Sequence, residues 1–355
     1  MNVARTCQPL IVLGFLCVAA SSAMAANVFV GDKGGASARD PAAIHEFLST
    51  TGYQSQLVSG DGIWTDPLDM AADQTTGDVI VLDLGAGAVT YPPRLLRFDG
   101  ESGARAEVAS GQNLWIDPLA VTVDRNGDIV VLDKGGGAVF LEPALLRFNG
   151  QTGQRTVIAD GQDLWHNAVD LVADPLTGDV FVLDLGGAAA RDLPAVRRFN
   201  RLTGDATIVA EGPDLWYDAT KITADANGDA IVLDLGGAAA TRPPRLLQFD
   251  GQGGDRTEIV SGNDLWYNPI DLDVDLSTGD VVVLDRGGGA VFLLPTLRSF
   301  DGVTGNASAI AEGTDLWVSA FAVAVVVPEP SSGMLCLLAC LFVLRIDTRR
   351  PMTTT

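Results

Sequence analysis

The side chains able to do chemistry in this chain are few in kind and regular in place. Asp32, Asp83, Asp133, Asp184, Asp234 and Asp285 each open a D-x-G-[GA] run, and a tryptophan stands 32 residues after every one of them. A second set flanks the tryptophans: Asp163, Asp214, Asp264 and Asp315 in D-L-W, and Asp66, Asp117 and Asp218 in W-x-D. A ring of carboxylates offers oxygens to a hard cation such as calcium, which takes six to eight of them. Repetition in every unit equally suits aspartates that cap their own turns through backbone N–H groups. The sequence leaves both readings open and assigns no metal.

Asymmetry is confined to two histidines, the only ones in the chain. His166 follows Trp165 where the other units carry Thr65, Ile116, Tyr217, Tyr267 and Val318, so it is the one catalytic candidate, as an acid or base. His45, in AAIHEF, reads as an outer-face residue of a strand. DRNGD (124–128) and DANGD (225–229) superficially suggest calcium loops, but their glycine is misplaced and Asn-Gly is the signal of a two-residue hairpin. No serine or cysteine nucleophile with a base is legible.

What positions these residues is a repeat. The six tryptophans are spaced 51, 50, 51, 50 and 51 residues apart, and a phenylalanine and a glycine stand 15 and 20 residues after each Asp of the D-x-G-[GA] runs. A period near 50 marks a repeat architecture. Within one unit DIVVLD (128–133), PALLRF (143–148), QRTVIAD (154–160) and PLAVTVD (118–124) read as strands. Four short antiparallel strands per unit make the blade of a β-propeller. The tryptophans, each preceded by Leu or Ile, suit packing between blades or an aromatic ring for sugars.

Both ends of the repeat region are incomplete in a complementary way. ANVFVGDKGG opens on the second strand of a blade, and VSAFAVAVVV after Trp317 is a first strand with nothing after it. Joined, they complete a sixth blade, one strand from the C-terminal side and three from the N-terminal side. The expectation is an all-β, closed six-bladed propeller over 26–327, whose closure leaves no central sheet edge unpaired. YPPRLLRFDG (91–100) against RPPRLLQFDG (242–251) suggests that blades one to three were duplicated into four to six. The first hairpins alternate instead with period two, TTGD, LTGD and STGD against NGD.

Outside this body lie two address segments. Residues 1–25 combine Arg5, the apolar run PLIVLGFLCVAA and an A-x-A site at Ala23 to Ala25, the layout of a secretory signal peptide. Residues 328–355 set Pro328, Glu329 and Pro330 before an apolar run, Gly333 to Leu344, and then Arg345, Arg349 and Arg350. This resembles the PEP-CTERM sorting signal of Gram-negative bacteria, and the resemblance implies processing by an exosortase. It also implies an exported protein at the cell surface or in the extracellular matrix, its precursor passing through the inner membrane. All four cysteines fall in these two segments, so the body has none to pair.

The core phrase GDIVVLDKGGGAVF…LLRFNGQTG is similar to NHL-type six-bladed propellers, which carries fold and not function. Between Ala26 and Val327 there are 19 basic and 43 acidic residues, a net charge of −24, which excludes nucleic acid as a partner. The expected function is a non-catalytic binding or scaffold module, with calcium as a cation it would depend on and exopolysaccharide or another surface protein as partner. Its expected ligand face holds Asp83, Asp133, Asp184, Asp234, Asp285, Asp163, Asp214 and Asp264. The alternative is a metal-assisted lyase or lactonase; the streptogramin-lyase-like and gluconolactonase-like propellers have metal-ligand sets that this chain does not match. Replacing Pro328, Glu329 and Pro330 by alanine is expected to leave an uncut, membrane-associated precursor on immunoblots of cell fractions. Mature protein of unchanged size and location would contradict the sorting signal.

Overall fold

The computed structural model describes residues 25–327 apart from 36–39, 87–90, 137–141, 188, 190–191, 238–241 and 289–293. The sorting motif at 328–330 and, Ala25 aside, the signal peptide lie outside the described residues. Twenty-four strands form six four-stranded antiparallel sheets, with no α-helix among the described residues. In blade 2 the strands are β8 (Pro118–Val123), β9 (Ile129–Asp133), β10 (Ala144–Phe148) and β11 (Arg155–Asp160), within a residue of the reading from sequence.

The radial order follows from apolar content. In β9 all five residues are buried, as they are in β5 (Val79–Asp83), β13 (Val180–Asp184) and β17 (Ala230–Asp234), because neighbouring blades cover both faces. The fourth strands, such as β11, are largely exposed and form the outer rim. Between blades lie separate apolar clusters; one joins Ile80, Leu82 and Leu95 of blade 1 to Trp115, Val131 and Phe148 of blade 2. Every tryptophan is only 4–7% exposed. Each meets a phenylalanine edge-on, Trp115 with Phe148 at 6.0 Å and 78°. The tryptophans therefore pack between blades, each such pair adding about 0.5–1.5 kcal/mol beyond its buried area.

The invariant spacing from Asp to Gly has a steric cause. Gly103, at φ +67°, and Gly153, at φ +66°, sit against the carbonyl oxygens of Leu57 and Val108 on the outer strand of the preceding blade, where a Cβ would overlap. The turn supplies the left-handed conformation and the neighbouring blade supplies the close approach, and only glycine satisfies both.

Closure is built as the sequence implied. Blade 6 has the order β24 (Ala320–Val326), β1 (Asn27–Asp32), β2 (Ala43–Leu48) and β3 (Gln54–Ser59). The register runs from Asn27 opposite Val326 to Asp32 opposite Ala320, with a bulge at Phe321. Two departures from the repeat meet there. Gly31 stands where the other second strands carry Leu82, Leu132, Leu183, Leu233 and Leu284, and the ring of Phe321 fills the space a Cβ on Gly31 would need. Phe321 also meets Trp64 of blade 1 edge-on at 5.5 Å. Gln74 in the first hairpin of blade 1 donates to the Val325 carbonyl, tying the last strand to the first blade.

Gly31→Leu is expected to cost about 1–3 kcal/mol by overpacking, and adding Phe321→Leu should recover at least about 1 kcal/mol of it. Deleting 319–327 should abolish cooperative melting of the whole ring. Additive effects in the first experiment by urea unfolding, or retained cooperativity in the second, would contradict closure through β24.

Candidate functional site

The aspartates at the ends of the second strands are buried, 0–3% exposed, and their oxygens are occupied by main-chain amides. Asp83 accepts from the N–H of Thr65, Asp66 and Gly85, at 3.0, 2.7 and 3.1 Å. Asp133 accepts from Ile116, Asp117 and Gly135, and Asp285 from Tyr267, Asn268 and Gly287. Asp184 and Asp234 take the matching three amides in their own blades. Each carboxylate thus pins the two residues after the tryptophan that enters a blade to that blade's second strand, and caps its own D-x-G turn.

Three of these carboxylates also hold an arginine. Arg94 lies 2.7 Å from Asp83, Arg197 2.9 Å from Asp184, and Arg245 2.8 Å from Asp234. His45 occupies the position of Arg197, and its Nε2 lies 3.6 Å from Asp32 Oδ2. The expectation of an outer-face histidine is therefore corrected: the ring turns inward to the one acid that joins the chain ends. Burial works to raise the Asp32 carboxyl, but His45 and the amides of Val318, Gly34 and Ser319 together hold it below the usual range.

Asp163, Asp214 and Asp264 are exposed at the same end of the ring. His166 is half-exposed, its Nε2 3.7 Å from Asp192 Oδ1 and its amide bonded to Asp184. The D-R-N-G and D-A-N-G segments are hairpins: Asp124 Oδ1 accepts from Asn126 and Asp128, and Asp225 Oδ1 from Asn227 and Asp229. Among the described residues no group of three or more His, Cys, Asp or Glu is placed to hold a metal ion.

A different set of charged residues converges on the axis. The inner strands are β4 (Pro67–Ala72), β8, β12 (Ala168–Ala173), β16 (Ala219–Ala224), β20 (Pro269–Asp275) and β24. Their third positions are Asp69, Ala120, Asp170, Lys221, Asp271 and Ala322 in ring order. Asp69, Asp170 and Asp271 each reach the inner strand of the next blade, accepting the amides of Val121, Ile222 and Val323 at 2.8, 2.9 and 2.7 Å. Their other oxygens surround Lys221 Nζ at 3.5, 3.6 and 3.5 Å.

Two residues further along, on the same side of each strand, come Ala71, Thr122, Val172, Thr223, Asp273 and Ala324. Asp273 accepts from the amides of Val325 and Val274 and from the Thr223 hydroxyl. This collar floors a cavity of about 360 Å³ that extends to the first hairpins at Gln74, Thr75, Arg125, Pro175 and Leu276. None of the eight aspartates of the expected ligand face lines it, nor does His166. A sequence signal existed, since Asp in the third position of PLDMAA, AVDLVA and PIDLDV keeps the period-two alternation of the hairpins. Nothing in one strand shows that the three meet.

Burial raises Asp170 to about 7 and Asp271 to about 8, with Lys221 opposing and the neighbouring carboxylates adding to it. Asp273 is raised to about 6, again mainly by burial. Burial would lower Lys221, but the three carboxylates hold it well above the ordinary lysine range.

No protein-family model and no curated protein matches this sequence. Solved structures do match its fold. A chain from a nidogen/laminin complex superposes with a TM-score of 0.59 at 14% identity, covering 84% of this chain and 97% of that one. TolB from Acinetobacter baumannii gives 0.60 at 12% identity, covering 86% of this chain and 68% of that one.

Unfolded carboxyls titrate near 4, so between about pH 4 and pH 8 the folded chain binds more protons than the unfolded one and loses stability as pH rises. Lowering the pH from 8 to 5 should therefore raise Tm, by about 2 °C or more per kcal/mol. Asp271→Asn, which keeps an acceptor for Val323, should flatten that slope. A melting temperature that rises with pH over this window, followed by circular dichroism, would contradict the assignment.

Proposed function

We propose that this chain is a non-catalytic binding protein, exported to the cell surface or matrix, whose ligand site is the axial cavity. The observation that carries this is the break in repetition at the axis. At the ring's end the carboxylates recur blade by blade and are spent on main-chain amides; here one lysine, one arginine, five aspartates and three threonines converge with apolar neighbours on one space. Convergence of unlike groups in a cavity is the usual mark of a small-molecule site, and about 360 Å³ falls at the small end of such pockets.

The structural neighbour drawn from the nidogen/laminin complex is a propeller found in an assembly, which supports binding as a role for this architecture. Attachment to a matrix polymer or surface protein, with calcium bridging acidic partners, would use the exposed Asp163, Asp214 and Asp264. The lyase or lactonase alternative would work through His166 and Asp192, outside the cavity.

The test is a thermal-shift panel of small neutral, cationic and anionic compounds, with calcium and exopolysaccharide included. Val172→Phe and Ala71→Leu fill the cavity. A true ligand at 100 times its Kd should stabilise by about 2.7 kcal/mol in the unmodified protein, and the filled variants should lose that gain. Stabilisation only by compounds that ignore both substitutions would overturn the cavity as the site, as would turnover of a lactone or lyase substrate dependent on His166.

A further inference from the structure

Resting on the reading of the cavity as a ligand site, we propose that its ligand is a small organic cation: a primary ammonium group carrying an apolar body. The first ground is that the protein already places an ammonium there. Lys221 Nζ sits among one oxygen each from Asp69, Asp170 and Asp271, at 3.5–3.6 Å, so the collar is an ammonium receptor filled by a tethered side chain. Its distances are longer than close N–H···O bonds, so its geometry is set by the three strands that carry the acids.

The second ground is Asp273. It lies two residues beyond Asp271 on the same strand, about 7 Å nearer the hairpins. No described lysine or arginine lies within ion-pair distance of it, because Lys221 is taken up by the collar. Its orientation is fixed by Val325, Val274 and Thr223, so its carboxylate is held ready in the cavity wall. Thr122 Oγ, which accepts the Ala173 amide, offers a further lone pair at the same level. An ammonium placed here would meet one carboxylate and neighbouring hydroxyls, the number of partners its three N–H groups need.

Ala71 and Val172 at this level, and Pro175 and Leu276 at the hairpins, give the wall apolar surface among the polar Gln74, Thr75 and Arg125, which suits the carbon body of an amine and not a hydrated metal ion. A hard metal ion would want six or more oxygens, and the place where the carboxylates converge is occupied by Lys221. An anion would face five carboxylates, with Lys221 taken up by three of them and Arg125 at the rim donating to the Leu176 carbonyl. The net charge of −24 on the body draws cations toward the ring.

The test uses calorimetry on the full chain with benzylammonium, benzyl alcohol and benzoate, which share a body and differ in head group. Benzylammonium should bind at least tenfold more tightly than benzyl alcohol, and benzoate should not bind. Asp273→Asn should weaken benzylammonium at least tenfold while Asp273→Glu keeps most of the affinity. Affinity should also fall from pH 8 to pH 5, as Asp273, Asp170 and Asp271 gain protons; Asp69, Asp124, Lys221 and Arg125 are the other charged groups that face this space. In Lys221→Met the vacated collar should accept methylammonium, read as a rise in Tm absent from the unmodified protein.

Equal binding of the alcohol and the ammonium, abolished by Val172→Phe, would overturn the cation and leave the cavity reading standing. Benzylammonium affinity unchanged in Asp273→Asn would also overturn it. Absence of any ligand sensitive to Val172→Phe would remove the cavity reading and this inference together.

Discussion

One interaction recurs wherever this ring has to be held shut: a buried aspartate accepting main-chain N–H groups from a segment distant in sequence. At one end of the ring six such carboxylates fasten the entry segments that follow the tryptophans, and in the sixth blade the bond spans the chain, with Asp32 receiving the amides of Val318 and Ser319. At the axis Asp69, Asp170 and Asp271 fasten each even-numbered blade's inner strand to the blade before it. Inner strands leave one edge without a sheet partner, and buried amides there need acceptors. An ionised carboxylate is a stronger acceptor than a neutral group, which offsets part of its burial.

The two sets differ in what is left over. At the ring's end each carboxylate is satisfied by three amides, with arginine or histidine added in four blades, so little of it is available to a ligand. At the axis only one oxygen of each collar aspartate is bonded to an amide. The other faces a shared lysine, and the charge is unbalanced. Burying such charge is costly unless it is neutralised by a proton or a cation. That imbalance explains both the raised carboxyls and the character of the cavity, and it turns a structural device into a place able to bind.

The period-two pattern acquires a cause at the same point. Blades 1, 3 and 5 carry the accepting aspartate and the longer first hairpin; blades 2, 4 and 6 carry Ala120, Lys221 and Ala322. Six aspartates at one level would crowd like charges into a narrow axis, where repulsion is strong. Alternation spaces the acids, and Lys221 takes one of the three intervening places.

Much of the fold was legible in the sequence because its causes are local or periodic. Strand alternation, turn glycines and the strict spacing of Asp, Phe, Gly and Trp repeat six times, so the blade, the number of blades and the split closing blade followed from counting. The packing of the tryptophans was likewise readable because the same contact between adjacent repeats recurs in every blade, and the hairpin identity of D-R-N-G because it depends on neighbours within one repeat. The site was not. Asp69, Asp170, Asp271 and Lys221 are about a hundred or fifty residues apart along the chain, and each looks like a single polar residue in an apolar strand. Only ring closure brings their third positions to one axis and decides which oxygen meets an amide and which faces the cavity. His45 shows the same limit at smaller scale: its strand was readable, but its direction toward Asp32 is set by how that strand lies in the closed sheet. Periodicity along a chain determines architecture; convergence of unlike groups is a property of three-dimensional closure, and no single strand contains it.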